Sequence, residues 1–232
     1  MLYIEGRYLG MNKERETVAV LFTGGKDSSL VACLEASKGN NVHLLTGVSG
    51  IGIKSELSEI RVKELIERFS NVVIERHFLS TSALLRKIAI KDIEKDILKW
   101  KCNLVLLGDK MAIHAAATAY CIQNGITKLL DGVVKYQDEL VEQKIIAMEM
   151  LKNFEKEYNI TYESPIYEFG DKKAVKYALL EFGISNKSLE GVSIFGDSFS
   201  EPDDSVIKEY IEDKIHYCRE HIDLLLGNKE YK

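Results

Sequence analysis

Two hydrophobic patterns alternate along this chain. Short apolar-rich runs at 18–22, 41–46, 72–74, 104–107 and 128–130 read as strands buried on both faces. Between them lie stretches with helical spacing, at about 28–38, 56–69, 82–90, 93–100 and 111–123. In the second of these, Leu57, Ile60, Val62, Leu65, Ile66 and Phe69 recur at intervals close to those of one helix face. The last carries Ala112, Ala115, Ala116, Ala117 and Ala119, which lets a helix lie close on a sheet. This alternation predicts an α/β fold with a parallel five-stranded sheet, doubly wound through right-handed crossovers. After Gln137 the pattern changes to helices at about 139–158, 172–182 and 204–226, with breaks near Pro165 and Pro202. The expected organisation is an α/β domain over 1–136 and a helical C-terminal extension over 137–232, packed on it and holding an acceptor.

Ligands of such sheets sit beyond the C-terminal ends of the strands. Four turns converge on that edge: 23–29, 47–50, 108–110 and 131–132. The first is the most informative. Residues 18–29 read Val-Ala-Val-Leu-Phe-Thr-Gly-Gly-Lys-Asp-Ser-Ser, a strand, two glycines and a helix start. Gly24 and Gly25 let the backbone pass close to an anion, and the free N–H groups and dipole of the next helix favour negative charge there. A Walker A loop is excluded, because Lys26 is followed by Asp27 and not by Ser or Thr.

Composition narrows the setting. The 232 residues are 46% hydrophobic and 29% charged, ordinary globular values. No apolar run is long enough to span a membrane, and the N-terminus lacks the basic-then-apolar order of a signal peptide. Cys33, Cys102, Cys121 and Cys218 are scattered without a Cys-x-x-Cys pair, so reduced thiols and a cytoplasmic location are expected. A net charge of −5 gives no electrostatic ground for broad nucleic-acid binding.

The Thr-Gly-Gly-Lys-Asp-Ser string at 23–28 resembles the (Ser/Thr)-Gly-Gly-x-Asp-Ser loop of the PP-loop ATP pyrophosphatase superfamily, whose members cleave ATP between its α- and β-phosphates. Within it, the order of later features over roughly 18–222 looks most like 7-cyano-7-deazaguanine synthase. These features are Gly-Asp-Lys at 108–110 before the Ala-rich helix, Asp131-Gly132, and the polar segment 135–139. Ser164-Pro165, Lys172-Lys173 and Phe182-Gly183 follow in order. The chain departs from that synthase by lacking its four zinc cysteines and its cysteine-containing substrate segment.

The resemblance implies a HUP/Rossmann-like fold, ATP and Mg²⁺ as cofactors, and adenylation of an acceptor. Thr23, Gly24, Gly25, Lys26, Asp27, Ser28 and Ser29 would hold the β,γ-phosphates, and Asp27 would also bind Mg²⁺. Leu45, Thr46 and Gly47 would meet the adenine edge, and Gly108 and Lys110 the ribose and α-phosphate. Lys135, Tyr136, Gln137 and Glu142 are candidates for the acceptor pocket, with Asp27, Ser28 and Lys110 as the catalytic set.

The leading expectation is a ligase that joins a small-molecule acceptor to ammonia or an amine. A sulfurtransferase that thiolates a base or metabolite and a non-catalytic nucleotide sensor are the alternatives. Related enzymes suggest a homodimer, with the last helix as interface. Outside the site, His114 reads as a structural histidine and Cys102 and Cys121 as buried apolar groups. Cys218 and His221, three apart on one helix, fall short of a zinc ligand set.

Overall fold

A computed structural model of the chain describes residues 15–53, 55–193, 195 and 201–227. Its five-stranded sheet is wholly parallel. The strands are β1 (Thr17–Leu21), β2 (Asn41–Val48), β4 (Ile74–Ser80), β5 (Lys128–Leu130) and β6 (Thr161–Glu163), in spatial order β4-β2-β1-β5-β6. A separate antiparallel ribbon pairs β3 (Gly52–Ile53) with β7 (Val192–Ser193).

Both faces of the sheet are covered, which is why β1 is apolar at successive positions. Val18 and Val20 face one core with Leu30 and Val31 of α1 (Lys26–Ser37), Val62 and Leu65 of α2 (Ser58–Arg68), and Val175 and Leu179 of α7 (Lys172–Glu181). Ala19 faces the other, with Met111, Ala112 and Ala115 of α5 (Val105–Gln123), Leu151 of α6 (Ile145–Lys156), and Ile207 and Ile211 of α8 (Asp204–Leu225). Small side chains on α5 let it lie close on β2, β4 and β5.

Several elements differ from the sequence expectation. Residues 104–107, expected as a strand, form the start of α5, with Leu104 at its N-cap; just before it the Asn103 carboxamide oxygen accepts the Val105 N–H at 3.1 Å. A run of four apolar residues fits either state, and the Ala-rich stretch behind it favours the helix. The fifth strand is instead Thr161–Glu163, an edge strand with only Tyr162 buried, too short to show an alternating pattern. Beyond residue 137, then, the chain supplies a sheet strand as well as helices. The stretch 82–90 is one α-turn, α3 (Ser82–Leu85), continuing into a π-turn at Arg86–Ile90, followed by α4 (Ile93–Trp100). The expected long helix at 139–158 divides into a 3₁₀ turn at Val141–Gln143 and α6.

α6 packs on β6 and α5, α7 on α1, and α8 on α5. No helix among the described residues is long and apolar enough to cross a membrane.

Candidate functional site

The strand order reverses between β1 and β5: the chain leaves β1 toward β2 on one side and later returns to β5 on the other. At that switch point the two connections diverge and leave a crevice beyond the strand ends. It holds a cavity of about 550 Å³, large enough for a nucleotide. Its walls come from the ends of β1, β2 and β5, from one face of α5, and from the β3–β7 ribbon.

The bend after β1 is built for this place. Gly24 adopts φ +84°, and a β-carbon there would lie 2.5 Å from Ser58 Cβ and 2.6 Å from the Leu189 carbonyl. Gly25 is the N-cap of α1, and no side chain caps that helix. Its first N–H groups are therefore left for a ligand. The Ser28 and Ser29 hydroxyls donate to the Gly25 carbonyl, at 3.4 and 2.5 Å. On the opposite side Gly132 faces the first turn of α1, with no room for a β-carbon against the Ser28 N–H.

Of the residues expected to hold phosphate, Thr23, Gly25, Asp27 and Ser28 line the cavity. Gly24 shapes the bend from behind, Lys26 is half-buried beside it, and Ser29 is wholly buried under α1. Ser29 is thus corrected from phosphate ligand to a hydroxyl that secures the turn. Leu45, Thr46 and Gly47, expected at the base, all line the wall, and Gly47 leaves space for Ile113, whose Cγ1 would be 2.5 Å from a β-carbon. Thr46 donates to the Phe22 carbonyl at 2.8 Å, tying the ends of β1 and β2 together.

Gly108 is a second correction. Because 104–107 is helical, Gly108 lies inside α5, where a β-carbon would meet Ala89 Cβ at 2.7 Å and the Tyr210 hydroxyl at 2.9 Å. It serves close packing against the π-turn and does not reach the cavity. Lys135 is a third: it is exposed, pairs with Glu168 at 3.4 Å, and does not line the pocket. Tyr136 does not line it either but donates to Asp27 Oδ1 at 2.6 Å. Gln137 and Glu142 do line it.

The structure adds residues that sequence reasoning left out. Asp131, at the end of β5, lies 3.3 Å from the Lys110 ammonium and accepts hydrogen bonds from Tyr162 (2.5 Å) and Ser164. Burial pushes its pKa up, but Lys110 and the two hydroxyls outweigh that and hold the carboxyl below its ordinary value. Lys110 is thereby fixed at the cavity wall by an anion behind it.

Asp109 and Glu142 form an acidic side of the same cavity. Burial raises Asp109 to about 6 against the Ser49 hydrogen bond, with Glu142 raising it further, and its Oδ1 has no partner. Burial also raises Glu142, and Lys110 opposes the shift. Glu190, next to the Gly-rich bend, has its carboxylate against Gly25. Its segment is held by Arg61, whose wholly buried guanidinium donates to the Ser185 and Lys187 carbonyls at 2.5 and 2.7 Å. Glu190 escaped notice because it lies over 160 residues from the loop it approaches. Asp109 and Asp131 were legible only as parts of turns at the sheet edge.

The remaining candidates are structural. His114 is buried, with Nδ1 2.8 Å from Glu155 Oε1. All four cysteines are buried and none lines the cavity. Cys218 faces the Met111 carbonyl at 3.6 Å and forms no metal-ligand group with His221.

No family model matches the chain. An uncharacterized protein of Methanocaldococcus jannaschii is 29% identical over 204 residues, spanning 88% of this chain and 92% of that one. A 4-thiouridine synthetase, solved with RNA and bound ATP, superposes with a TM-score of 0.66 at 13% identity. The match covers 93% of this chain and 54% of that one, so the chain spans about half the length of that synthetase. A predicted tRNA methyltransferase subunit from M. jannaschii matches at TM-score 0.47 and 21% identity, over 86% of this chain and 89% of that one. NMN synthetase from Francisella tularensis matches at 0.42 and 15%, over 92% and 84%. At that level of identity the 4-thiouridine synthetase match shows a shared HUP/Rossmann-like α/β fold.

Proposed function

We propose that the chain is an ATP-using synthetase that cleaves ATP between the α- and β-phosphates to adenylate a small acceptor. The observation that carries this is the uncapped start of α1, with Asp27 and Ser28 opening onto the switch-point cavity opposite Lys110. The N–H groups there would take the β,γ-phosphates, which leaves Lys110 to neutralise charge at the α-phosphorus. The adenine edge would lie along Leu45, Thr46 and Gly47. An acceptor oxygen attacks the α-phosphorus and pyrophosphate leaves; ammonia or an amine then attacks the adenylated carbon and AMP leaves. Positioning and charge neutralisation supply most of such a reaction's acceleration.

The donor set fits Mg²⁺. Asp27 and Glu190 offer carboxylate oxygens on the cavity beside the bend, and the phosphates would complete an oxygen shell. When bound, Mg²⁺ would neutralise the triphosphate and stabilise the leaving pyrophosphate. Tyr136 would orient the Asp27 carboxylate for that task. The acceptor side falls to Gln137, Glu142 and Asp109, which suits a heterocycle or amide with N–H donors. The order of motifs shared with 7-cyano-7-deazaguanine synthase supports a purine-like acid, while the missing zinc cysteines separate the chain from that enzyme.

Carbon–nitrogen bond formation is favoured over a cysteine sulfur relay. Burial pushes the thiols of Cys33, Cys121 and Cys218 up to about 12, and Cys102 is raised as well. A buried, protonated thiol away from the cavity is a poor sulfur carrier. The test is incubation with Mg²⁺ and ATP labelled at the α- or γ-phosphate, with a panel of purine-like acids and either ammonium or sulfide. Labelled AMP and labelled pyrophosphate, dependent on ammonium, are expected. Labelled ADP and orthophosphate would overturn the proposal, and product formed only with sulfide would replace the ligase by the thiolating enzyme.

A further inference from the structure

Away from the cavity, β2 and β4 bring two imidazoles and a carboxylate together on one face of the sheet. His43 is the direct register partner of Glu75, and His77 is the partner of Leu45, one same-face position further along. His43, Glu75 and His77 therefore point to the same side, and their ligand atoms all lie within 4.8 Å of one another. His77 Nε2 is 3.3 Å from Glu75 Oε2, and the two imidazole centroids are 5.1 Å apart.

We propose that His43, Glu75 and His77 form a binding site for a divalent transition metal, Zn²⁺ in the first instance, that staples the edge strand β4 to β2.

The donor chemistry selects the metal class. Two imidazoles and one carboxylate suit Zn²⁺ and its neighbours, whereas Mg²⁺ and Ca²⁺ take oxygen ligands. Around a tetrahedral zinc with bonds of about 2.0–2.1 Å, ligand atoms stand roughly 3.4 Å apart. The His77–Glu75 pair already has that spacing, and small rotamer changes would bring in His43. Two further observations separate the group from a casual surface ion pair. His77 Nε2 is enclosed and makes no hydrogen bond, its neighbour being the Glu75 carboxylate at 3.3 Å. The Tyr120 hydroxyl lies 2.8 Å from His43 Nδ1, a contact of the kind that orients ligating histidines. Three protein ligands leave the fourth tetrahedral position for water. None of His43, Glu75 and His77 lines the nucleotide cavity, so the proposal does not depend on that cavity's occupant.

The test uses the full chain stripped of metal with EDTA and titrated with Zn²⁺ against a chromophoric chelator. One saturable equivalent is expected, unaffected by millimolar Mg²⁺, together with a rise in Tm and the visible absorption of a tetrahedral site when Co²⁺ is used. H43A, H77A and E75Q should each weaken binding tenfold or more, and Y120F by about tenfold. Because Glu75 is half-exposed, E75Q keeps the test informative should a histidine variant fold poorly. No saturable binding in the wild-type protein, or a full equivalent retained by the H43A/H77A double variant, would overturn the proposal.

Discussion

The Tyr136 hydroxyl donates to Asp27 Oδ1 at 2.6 Å, joining the segment after β5 to the first turn of α1. Burial raises the Asp27 pKa, while the Tyr136 hydrogen bond and the nearby Lys26 charge oppose the shift. The contact therefore supports the charged, oriented carboxylate that the proposed Mg²⁺ role requires. Tyr136→Phe should fold normally yet lower kcat/KM for ATP about tenfold, a loss of roughly 1.4 kcal/mol of transition-state stabilisation. Asp27→Asn should lose at least about a hundredfold. Steady-state AMP formation, with circular dichroism to confirm the fold, measures both; a fully active Y136F would show that the contact does not matter to turnover.

The glycines around the bend should differ in their tolerance of a methyl group. A β-carbon on Gly132 would strike the Ser28 N–H, with Asp27 C at 2.7 Å, and these are backbone atoms that must move as a unit. One on Gly25 would meet side-chain atoms, the end of flexible Glu190 at 2.3 Å and the Thr23 hydroxyl at 3.2 Å. Gly132→Ala should thus cost about 1–3 kcal/mol of stability and displace the start of α1, whereas Gly25→Ala should cost less. Denaturant midpoints of the two variants decide the order; equal costs would contradict the close approach of Gly132 to α1.

Asp109 makes a pH prediction of definite sign. Its carboxyl is raised from 3.8 to about 6 by burial, so between those values the folded chain keeps a proton that the unfolded chain has released. Unfolding free energy should fall as pH rises through that window, and the penalty is complete above about 6. Asp109→Asn removes it, so the variant should gain on the order of 1–2 kcal/mol at neutral pH and little at pH 4. Its ATP turnover should fall, since the carboxyl lines the cavity. Melting curves of both proteins at the two pH values test this; a variant no more stable at pH 7 would contradict it.

Replacing Cys102 and Cys121 together with alanine should leave AMP formation within about twofold of wild type, because both thiols are buried away from the cavity. The cost should appear in Tm, through the small voids left in the core. A loss of turnover without loss of fold would restore the sulfur-relay alternative.

The sequence carried the fold class and the glycine bend at the cavity because both are local. Gly24, Gly25, Asp27 and Ser28 act within a single strand–turn–helix unit, and the alternation of strands and helices needs no tertiary information. What it obscured was set by contacts between distant segments. The Leu-Val-Leu-Leu run at 104–107 fits a strand or a helix, and the Ala-rich helix that continues from it settled the matter. Gly108 looked like a turn glycine only while that run was taken for a strand. Lys110 was legible at the site, but its anchor Asp131 depends on Tyr162 and Ser164, from a strand too short to read. The His43–Glu75–His77 group was invisible for the same reason: its members meet only through the β2–β4 register.

The most direct test of the central claim is a crystal structure with a non-cleavable α,β-methylene ATP analogue and Mg²⁺. The account predicts the β,γ-phosphates against the N–H groups from Lys26 to Ser28, the base beside Leu45 to Gly47, and the α-phosphorus open toward Lys110. An analogue bound elsewhere on an intact fold, or with its triphosphate turned away from α1, would contradict it.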